Sequence, residues 1–479
     1  MPQPTAEVRK GLLLALLAAS QFVVVLDASI TNVALPSIGR ALDISQDGLS
    51  WVVNAYTLTF GGFLLLGGRL ADLLGRRRVY IAGLVLFGIA SFIGGLAQSE
   101  AMLIASRALQ GLGAALLSPA ALSILTATFR QGSERNKALG VWGAVAGSGG
   151  AIGVLLGGIL TEYLSWRWVL LVNVPIVAAA ALAAPRIIVE SRVVARTQAF
   201  DVAGALSVTA GVSLLVYALV DANNSGWGSA RTMALIGLAV AMLAAFVLVE
   251  RRAKAPLVPG DIFSSRTRTA SYVIATLIAG SLFSMFFFIS LYMQQVLGWS
   301  AIRSGLSYLP LGLTIVVAAG AGSQVVNRVG FKPVLATGLS LVTIAMVWWS
   351  QISVGGTFLA DVLGPSLVAA VGLGLSFVSV TVGGTSGVRN DEAGLASGLL
   401  NASQQVGGAL GLAILVAIAN ARTDAFGGGG PAALNEGFQA AFLGGGAMAA
   451  VGAVLAVTMI SREESRSVIG VEASAPAVG

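Results

Sequence analysis

The chain of 479 residues contains no cysteine and no histidine, and only 10% of its residues are charged. Without cysteine it can form no disulfide, no thiolate nucleophile and no cysteine-ligated metal site. Without histidine it lacks the commonest metal ligand and the usual proton carrier near neutral pH, so any proton chemistry must use carboxylates tuned by arginine, lysine or burial. Soluble domains carry about 25% charged residues, so a soluble enzyme is excluded.

Long apolar stretches make up most of the chain, in which 56% of the residues are hydrophobic. A membrane-spanning helix needs about 20 mainly apolar residues. The sequence contains fourteen such runs, with approximate limits 11–34, 49–70, 79–98, 101–127, 137–161, 167–185, 201–221, 231–249, 270–297, 303–326, 332–351, 357–382, 394–420 and 438–460. They leave no room for a soluble catalytic domain. The first run contains Asp27 and has no A-x-A-like cleavage site, so we interpret it as a retained helix and not as a signal peptide.

The basic residues indicate how the chain is oriented. With fourteen spans both termini lie on one side of the membrane, and the loops and tails of that side hold 22 of the 28 lysine and arginine residues. Cytoplasmic loops carry an excess of these residues, so we expect a multi-pass protein of the cytoplasmic membrane with both termini in the cytoplasm. The net charge of +7 is spread over many short loops, which indicates membrane topology and not a nucleic-acid partner.

One internal repeat divides the chain into related halves. The loop GRLADLLGRR after the second run (68–77) aligns without gaps with SQVVNRVGFK after the tenth run (323–332). The aligned pairs include Asp72 with Asn327, Gly75 with Gly330, and Arg77 with Lys332. If the halves are runs 1–6 and 9–14, both loops follow a second helix, and runs 7 and 8 are inserted between the halves. Two parallel six-helix halves around a central site are typical of a transporter.

Several stretches resemble transporters of the major facilitator superfamily. The loop GRLADLLGRRR resembles the loop signature of that superfamily. Five others resemble its fourteen-helix drug:proton antiporter subfamily, namely LDASITNVALPSI, LIASRALQGLGAA, GSGGAIGVLLGG, SWRWVLLVNVPI and GLLNASQQVGGALGLA. The resemblance implies an all-α polytopic membrane protein with the major facilitator fold, proton coupling and a role in drug efflux. The expected domains are a six-helix bundle at 1–185, two inserted helices with flanking loops at 186–268, a second six-helix bundle at 269–461 and a cytoplasmic tail at 462–479.

Asp27 and Arg107 are the candidate residues for proton coupling. A charge near the middle of a span costs about 2.5–3.5 kcal/mol on insertion scales, so such a residue usually faces a bundle interior or a water-filled cavity. A carboxylate that alternates between an apolar surround and a nearby cation can gain and lose a proton, and Asp27 could also anchor cationic substrates. In the resembling family the arginine that matches Arg107 is linked to proton transfer. The alternatives are that Asp27 is a structural acid with a neighbouring polar partner and that Arg107 is a static clamp between helices.

Two groups of residues are candidates for gating. The loop between runs 2 and 3 contains Asp72, Arg76 and Arg77. A carboxylate among arginines could form a breakable latch there, or the arginines could simply mark the cytoplasmic side. The fifth run contains a stripe of small residues that includes Gly150, Gly153 and Gly157. Such stripes let helix backbones approach closely, and in the resembling exporters this helix helps to seal a gate, although ordinary helix packing would use the same glycines.

A third group of residues is predicted to line a substrate cavity, because polar side chains rarely face lipid and aromatic faces interact with cations. These residues are Asn32, Asn54, Tyr56, Gln110, Phe287, Tyr292, Gln294, Asn401 and Gln404. The members between 283 and 295 come from the aromatic run FSMFFFISLYMQQ, whose rings could instead face lipid.

The sequence therefore predicts a secondary active transporter and not an enzyme. It predicts proton-driven efflux of amphipathic, often cationic drugs or antibiotics by alternating access, with protons as the coupling ion and with no cofactor or metal. The expected partners are a small-molecule drug and the lipid bilayer, not nucleic acid, and the expected state is a monomer. The pattern G-x-x-x-x-G-K-[ST], which would suggest an ATP-driven pump, is absent. A transporter of a single metabolite, lipid or self-made antibiotic is the main alternative, and a non-transporting sensor or a membrane-embedded enzyme is a remote one.

Overall fold

The computed structural model of the chain describes residues 6–129, 133–191, 202–252, 260–387, 393–427 and 429–466. These residues form helices joined by short turns, and none of them lies in a β-strand. The all-α class that the sequence predicts is therefore confirmed.

The helices lie where the apolar runs predict them. The helices of the first part of the chain are α1 (Ala6–Leu42), α2 (Gln46–Leu74), α3 (Arg76–Gly95), α4 (Glu100–Thr128), α5 (Ser133–Tyr163), α6 (Trp168–Leu171), α7 (Asn173–Ile187), α8 (Val202–Ser225) and α9 (Ala230–Arg252). The remaining helices are α10 (Arg266–Leu291), α11 (Ala301–Ser307), α12 (Leu309–Val329), α13 (Phe331–Trp349), α14 (Gly364–Thr385), α15 (Ala393–Ala425), α16 (Pro431–Met459) and α17 (Arg462–Arg466). In the described part of the chain, eleven helices are long and apolar enough to cross a membrane, and shorter apolar helices cover Ile152–Tyr163 and Leu206–Leu219. The count of fourteen spans stays a prediction.

Several spans are interrupted. Val172 separates α6 from α7, and Tyr308 separates α11 from α12. π-Helical turns occupy Tyr292–Val296 after α10 and Phe358–Leu363 before α14. Turns of this kind are frequent at functional sites. The break at Val172 places Asn173 at the first position of α7.

The helices group into two compact units. Unit 1 comprises Met1–Ala218, Met233–Leu257 and Trp299–Tyr308, and unit 2 comprises Leu219–Thr232, Val258–Gly298 and Leu309–Gly479. The domain boundaries expected from the sequence stay a prediction.

Helix α4 packs closely against α2 and α3 in unit 1. A Cβ atom on Gly111 would overlap the backbone oxygen of Tyr56, and one on Gly113 would lie 2.7 Å from the backbone nitrogen of Phe87. Any side chain at these two positions would push the helices apart, and small residues are what permit such close contact between membrane helices. The packing brings the polar residues of α4 close to the neighbouring helices.

Unit 2 has an aromatic core formed by α10, α13 and α16. The ring of Phe288 lies 5.2 Å from that of Phe287 and 5.5 Å from that of Phe438, and the ring of Trp349 stacks on Phe442 at 5.6 Å. Aromatic pairs at these separations contribute about 0.5–1.5 kcal/mol beyond the area that they bury. Because Phe287 and Phe288 are fully buried, this part of the aromatic run packs inside unit 2 and does not face lipid.

The two aligned loops of the sequence repeat adopt the same kind of turn. Gly75 precedes α3 with φ of 109°, and Gly330 precedes α13 with φ of 84°. Residues with a side chain rarely adopt such a positive φ, so both loops need glycine at this position. The backbone thus agrees with the alignment of Gly75 with Gly330.

Candidate functional site

The carboxylate of Asp27 lies in a buried hydrogen-bond network of unit 1. Arg107 donates to its Oδ2 at 2.6 Å, while Gln110 and Asn173 donate to its Oδ1 at 2.7 Å and 2.8 Å. Asp27 itself is fully buried. The acceptor belongs to α1 and the donors to α4 and α7, so the network ties three helices together.

The guanidinium of Arg107 has further partners besides Asp27. Its Nε donates to the backbone oxygen of Val52 at 3.1 Å, and its Nη1 donates to the side-chain oxygen of Gln110 at 2.7 Å. Its Cζ lies 4.4 Å from the centre of the Tyr56 ring, a distance at which an aromatic face attracts a cation. A buried ion pair needs such additional bonds, because both charges have lost their contacts with water.

Gln110 links the ion pair to α3. Its Nε2 donates to Asp27 and also to the hydroxyl of Ser91 at 2.6 Å, and its Oε1 accepts from Arg107. Both ends of the amide are therefore used inside the network. The sequence predicts Gln110 as a cavity residue one helical turn from Arg107, and the structure places it as a support of the Asp27–Arg107 pair.

Asn173 is the direct partner of Asp27 that sequence reasoning missed. It is fully buried, its Nδ2 donates to Asp27, and its Oδ1 has no hydrogen-bond partner among the described residues. The one feature of the sequence that could have indicated Asn173 is that it belongs to the stretch SWRWVLLVNVPI, which resembles the antiporter subfamily. Its position in the sequence does not indicate a contact with α1, because 146 positions separate Asn173 from Asp27.

The donors around Asp27 fit an ionised carboxylate. Three N–H groups point at its two oxygens, whereas a protonated acid would need an acceptor for its own O–H group. A buried carboxylate held by contacts that helix movements can break is able to exchange a proton between two states. The arrangement can therefore serve proton coupling as well as helix packing.

Asn32, Asn54 and Tyr56 are the other predicted cavity residues of unit 1. Tyr56 is buried beside Arg107, and its hydroxyl donates to the backbone oxygen of Val24 at 3.3 Å. Asn54 is fully buried, and neither end of its amide has a hydrogen-bond partner among the described residues. Asn32 is half-buried, with its Nδ2 bonded to the backbone of α1. The structure thus brings Tyr56 to the Asp27 network and shows no bond from Asn32 or Asn54 to it among the residues it describes.

Five predicted cavity residues belong to unit 2. Phe287 and Tyr292 are fully buried, and the Tyr292 hydroxyl donates to the backbone oxygen of Ser353 at 2.8 Å. The other three are half-buried, namely Gln294, Asn401 and Gln404. Their role in a substrate cavity stays a prediction.

Helix α5 packs against α1 through two of the three glycines predicted for a gate. A Cβ atom on Gly153 would lie 2.9 Å from the backbone oxygen of Leu26, and one on Gly157 would lie 2.8 Å from that of Ile30. Such contacts are shorter than a side chain tolerates. The glycines therefore set the distance between α5 and the helix that carries Asp27.

Gly153→Ala is expected to destabilise the protein, because the new methyl group meets the backbone of α1 and cannot be accommodated by a side-chain movement. Overpacking of this kind costs about 1–3 kcal/mol. At Gly150, where a Cβ atom would lie 3.8 Å from its nearest neighbour, the same change should be tolerated. Gly237→Ala in α9 is the matched control, since a Cβ atom there meets nothing within 4 Å. Heat denaturation of the purified variants checks the prediction, and equal stability of Gly153→Ala and Gly237→Ala would contradict it.

The loop between α2 and α3 contacts a glutamate that sequence reasoning also missed. Glu190 accepts the backbone N–H of Arg77 at 3.1 Å, and its Oε2 lies 3.8 Å from the Nε atoms of Arg77 and Arg78. The Nη1 of Arg77 also donates, at 3.3 Å, to the backbone oxygen of Ile188, which lies at the C-terminal end of α7. The arginines of this loop therefore hold the start of α3 against the end of α7.

The other two predicted latch residues are Asp72 and Arg76. The backbone N–H of Arg76 donates to the backbone oxygen of Ser191 at 3.1 Å, which strengthens the same contact. The side chain of Asp72 lies outside the described residues. Its part in a latch stays a prediction.

The loop before α13 in unit 2, which aligns with the loop before α3, makes a corresponding contact with the end of α16 through different side chains. The backbone N–H of Lys332 donates to the hydroxyl of Ser465 at 2.8 Å. The Nζ of Lys332 donates, at 2.7 Å, to the backbone oxygen of Ile460, which lies at the C-terminal end of α16. A cation at the C-terminal end of a helix complements the helix dipole. Lys332 thus takes the place that Arg77 has in the first loop, and a hydroxyl replaces the carboxylate of Glu190.

The sequence is similar to those of known transporters over most of its length. Residues 17–412 match the sequence family described as the Major Facilitator Superfamily. The puromycin resistance protein pur8 of Streptomyces alboniger is 41% identical over 421 residues, which cover 86% of this chain and 82% of that protein. The cephamycin export protein CmcT of Amycolatopsis lactamdurans is 41% identical over 439 residues, which cover 90% and 88%. The tetracenomycin C resistance and export protein of Streptomyces glaucescens is 35% identical over 403 residues, which cover 83% and 74%.

Solved structures show the same fold at low identity. A bacterial homologue of the human lysosomal transporter Spinster, in an inward-facing and unoccupied conformation, matches with a TM-score of 0.68 at 15% identity, over 98% of this chain and 99% of that one. A peptide transporter of the POT family in complex with sulfate matches with a TM-score of 0.68 at 16% identity, over 95% of each chain. The family match and the relatives at 41% identity confirm the resemblance identified from the loop and helix motifs. The chain belongs to the Major Facilitator Superfamily and is a multi-pass membrane transporter of small molecules, not an enzyme.

Proposed function

We propose that the protein exports amphipathic, often cationic drugs or antibiotics in exchange for protons. The relatives named for puromycin resistance and for cephamycin export support a role in antibiotic export. The observation that carries proton coupling is the buried Asp27–Arg107 pair, with 2.6 Å between Oδ2 and Nη1. In a chain without histidine, a buried carboxylate with a cationic partner is the natural carrier of an exchangeable proton.

The proposed setting is the cytoplasmic membrane, with both chain termini in the cytoplasm. The concentration of lysine and arginine in the loops on that side supports this orientation. The proposed substrate is a small molecule, the proposed coupling ion is the proton, and the cycle uses no bound cofactor. We propose that the protein carries out this cycle as a monomer in the lipid bilayer.

In the proposed cycle the ionised form of Asp27 belongs to the state that captures the substrate. When the site opens outward, a proton binds to the carboxylate, removes its charge and weakens its bond with Arg107, so a cationic substrate is released. When the site opens inward, the proton leaves and the ion pair forms again. Substrate and proton thus occupy the site in alternate states, which links their movements.

The electrochemical gradient is large enough for this exchange. Each proton that moves inward supplies about 2.3 kcal/mol per 100 mV. Since 1.4 kcal/mol corresponds to a tenfold ratio, one proton supports a gradient of roughly 40-fold for a neutral substrate at that potential. A monovalent cation exchanged for one proton moves no net charge, so its export depends on the pH difference.

Inverted membrane vesicles with an acidic lumen test the proposal. Vesicles that contain the protein are expected to accumulate puromycin, a cephamycin or ethidium, and to release them when an ionophore collapses the pH difference. Vesicles from the same cells without the protein are the control. Accumulation that persists after the gradient has collapsed would contradict proton coupling, and lack of uptake of any probe would contradict drug export.

A dedicated exporter of one antibiotic is the second candidate. The relatives pur8 and CmcT are each named for a single compound, which favours this narrower specificity. The same set of probes separates the two functions. Uptake of one probe alone supports the dedicated exporter, and uptake of chemically different probes supports broad drug efflux.

A further inference from the structure

Asn173 has an unused oxygen next to the carboxylate that the proposed cycle protonates. Its Nδ2 donates to Oδ1 of Asp27 at 2.8 Å, while its own Oδ1 is buried and has no hydrogen-bond partner in the described part of the chain. A buried acceptor without a donor is unfavourable, and at Asn173 this atom belongs to an amide that already contacts a group able to supply a donor. A proton on Asp27 would supply the missing donor.

Gln110, the other amide on Asp27, directs its oxygen at Arg107 and its NH₂ group at the carboxylate. Its Oε1 already accepts from Arg107 at 2.7 Å, and its Nε2 also donates to Ser91 at 2.6 Å. If this amide turned over, its NH₂ group would face the guanidinium of Arg107, donor against donor. The orientation of Gln110 is therefore the same whether Asp27 is ionised or protonated.

We propose that Asn173 is a positioning residue that responds to the protonation of Asp27 by turning its amide. In the ionised state its NH₂ group donates to the carboxylate, as in the structure. When a proton from water forms an O–H bond at Oδ1 of Asp27, the amide turns by half a rotation and its oxygen accepts that O–H. Asn173 stays neutral and takes up no proton. The proposal rests on the proposed proton coupling at Asp27.

The charged and titratable side chains that face Asp27 are few in the described part of the site. Arg107 of α4 pairs with it, and Tyr56 of α2 lies against the guanidinium with its hydroxyl bonded to the backbone. Helix α7 brings a neutral group to it, the amide of Asn173, and Gly153 and Gly157 of α5 lie against the backbone of α1 at Leu26 and Ile30. The amide of Asn173 is thus the neutral group whose hydrogen bonding must change when Asp27 gains a proton.

Infrared difference spectra of the full-length protein in proteoliposomes, recorded between acidic and alkaline buffer, test this inference. The carbonyl band of protonated Asp27 is assigned by its loss in Asp27→Asn. In Asn173→Leu, which has about the same size and no polar atom, this band should move to higher frequency, because the O–H group has lost its acceptor. The pH of half-maximal export should also rise, by about one unit at most, because the charge-assisted bond that the ionised form loses is stronger than the neutral bond that the protonated form loses.

Asn435→Leu is the matched control. Asn435 is a buried asparagine of α16 whose Oδ1 also lacks a partner among the described residues, but its Nδ2 donates to a backbone oxygen, that of Ile352, at 3.0 Å. This variant should leave the Asp27 band and the pH dependence unchanged. If Asn173→Leu does not fold, Asn173→Ala, with a smaller side chain, makes the same test.

The possible outcomes separate the inference from the proposed function. An unchanged band and an unchanged pH dependence in the Asn173 variant would overturn the inference and leave Asn173 with a structural role. A shift in pH dependence without a shift of the band would also overturn it, since Asn173 would then only donate to the ionised form. If the native protein has no pH-dependent carboxyl band that Asp27→Asn removes, Asp27 does not titrate, and both the inference and the proposed coupling are wrong.

Discussion

Asp27→Asn is expected to abolish proton-driven export while the protein still folds and inserts. Asparagine has nearly the same size, and its side-chain oxygen can still accept from Arg107. It carries no charge, however, and cannot bind and release a proton near neutral pH. Drug uptake into inverted vesicles with an acidic lumen should therefore fall to that of vesicles without the protein, at equal amounts of protein in the membrane.

Asp221→Asn provides the matched control for this loss. Asp221 is also an acid of a predicted span, and it pairs with Arg231 at 3.1 Å near the turn between α8 and α9. The side chain of Arg231 is 59% exposed, and exposed ion pairs contribute only about 0–1 kcal/mol. Transport at the native rate is expected for this variant. Transport at the native rate by Asp27→Asn under the same gradient would show that Asp27 is not the coupling site.

The helices were predictable because a membrane span must satisfy its backbone hydrogen bonds within one apolar segment. The run at 101–127, for example, corresponds to α4 at Glu100–Thr128. The prediction was less good at α1, where the apolar run at 11–34 is shorter than the helix Ala6–Leu42. Its last turn contains Arg40, and a helix can continue past the apolar part once it has left the membrane.

The site was predictable only where one residue stands out from its surroundings. Asp27 and Arg107 are charges inside apolar runs, so the sequence alone marks them as costly and in need of a partner. They pair with each other because of the way α1 packs against α4, and this packing cannot be derived from the positions of the two residues in the sequence. Asn173 and Glu190 were missed for a related reason. An amide in a span and an acid in a loop occur in many membrane proteins, so only the fold shows that these two residues contact Asp27 and Arg77.

Arg107→Gln is the second change with a large expected effect. It leaves the buried carboxylate of Asp27 without its cation, and breaking a buried ion pair in this way costs about 3–5 kcal/mol. The bond from Nε to the backbone of Val52 is lost as well. We therefore expect less folded protein in the membrane, a lower temperature of heat denaturation after purification and no export. Arg231→Gln, which opens the exposed pair with Asp221, should change none of these by a comparable amount.

The double variant Asp27→Asn with Arg107→Gln separates coupling from mere structural support. Two neutral amides can hydrogen-bond to each other, and once both members of the ion pair are replaced no uncompensated charge remains buried. The double variant should therefore regain most of the heat stability that Arg107→Gln loses. If the pair served only as a clamp between α1 and α4, export would return together with stability. If the pair couples export to protons, the stable double variant stays inactive, because the chemistry at Asp27 needs a group that changes its charge during the cycle.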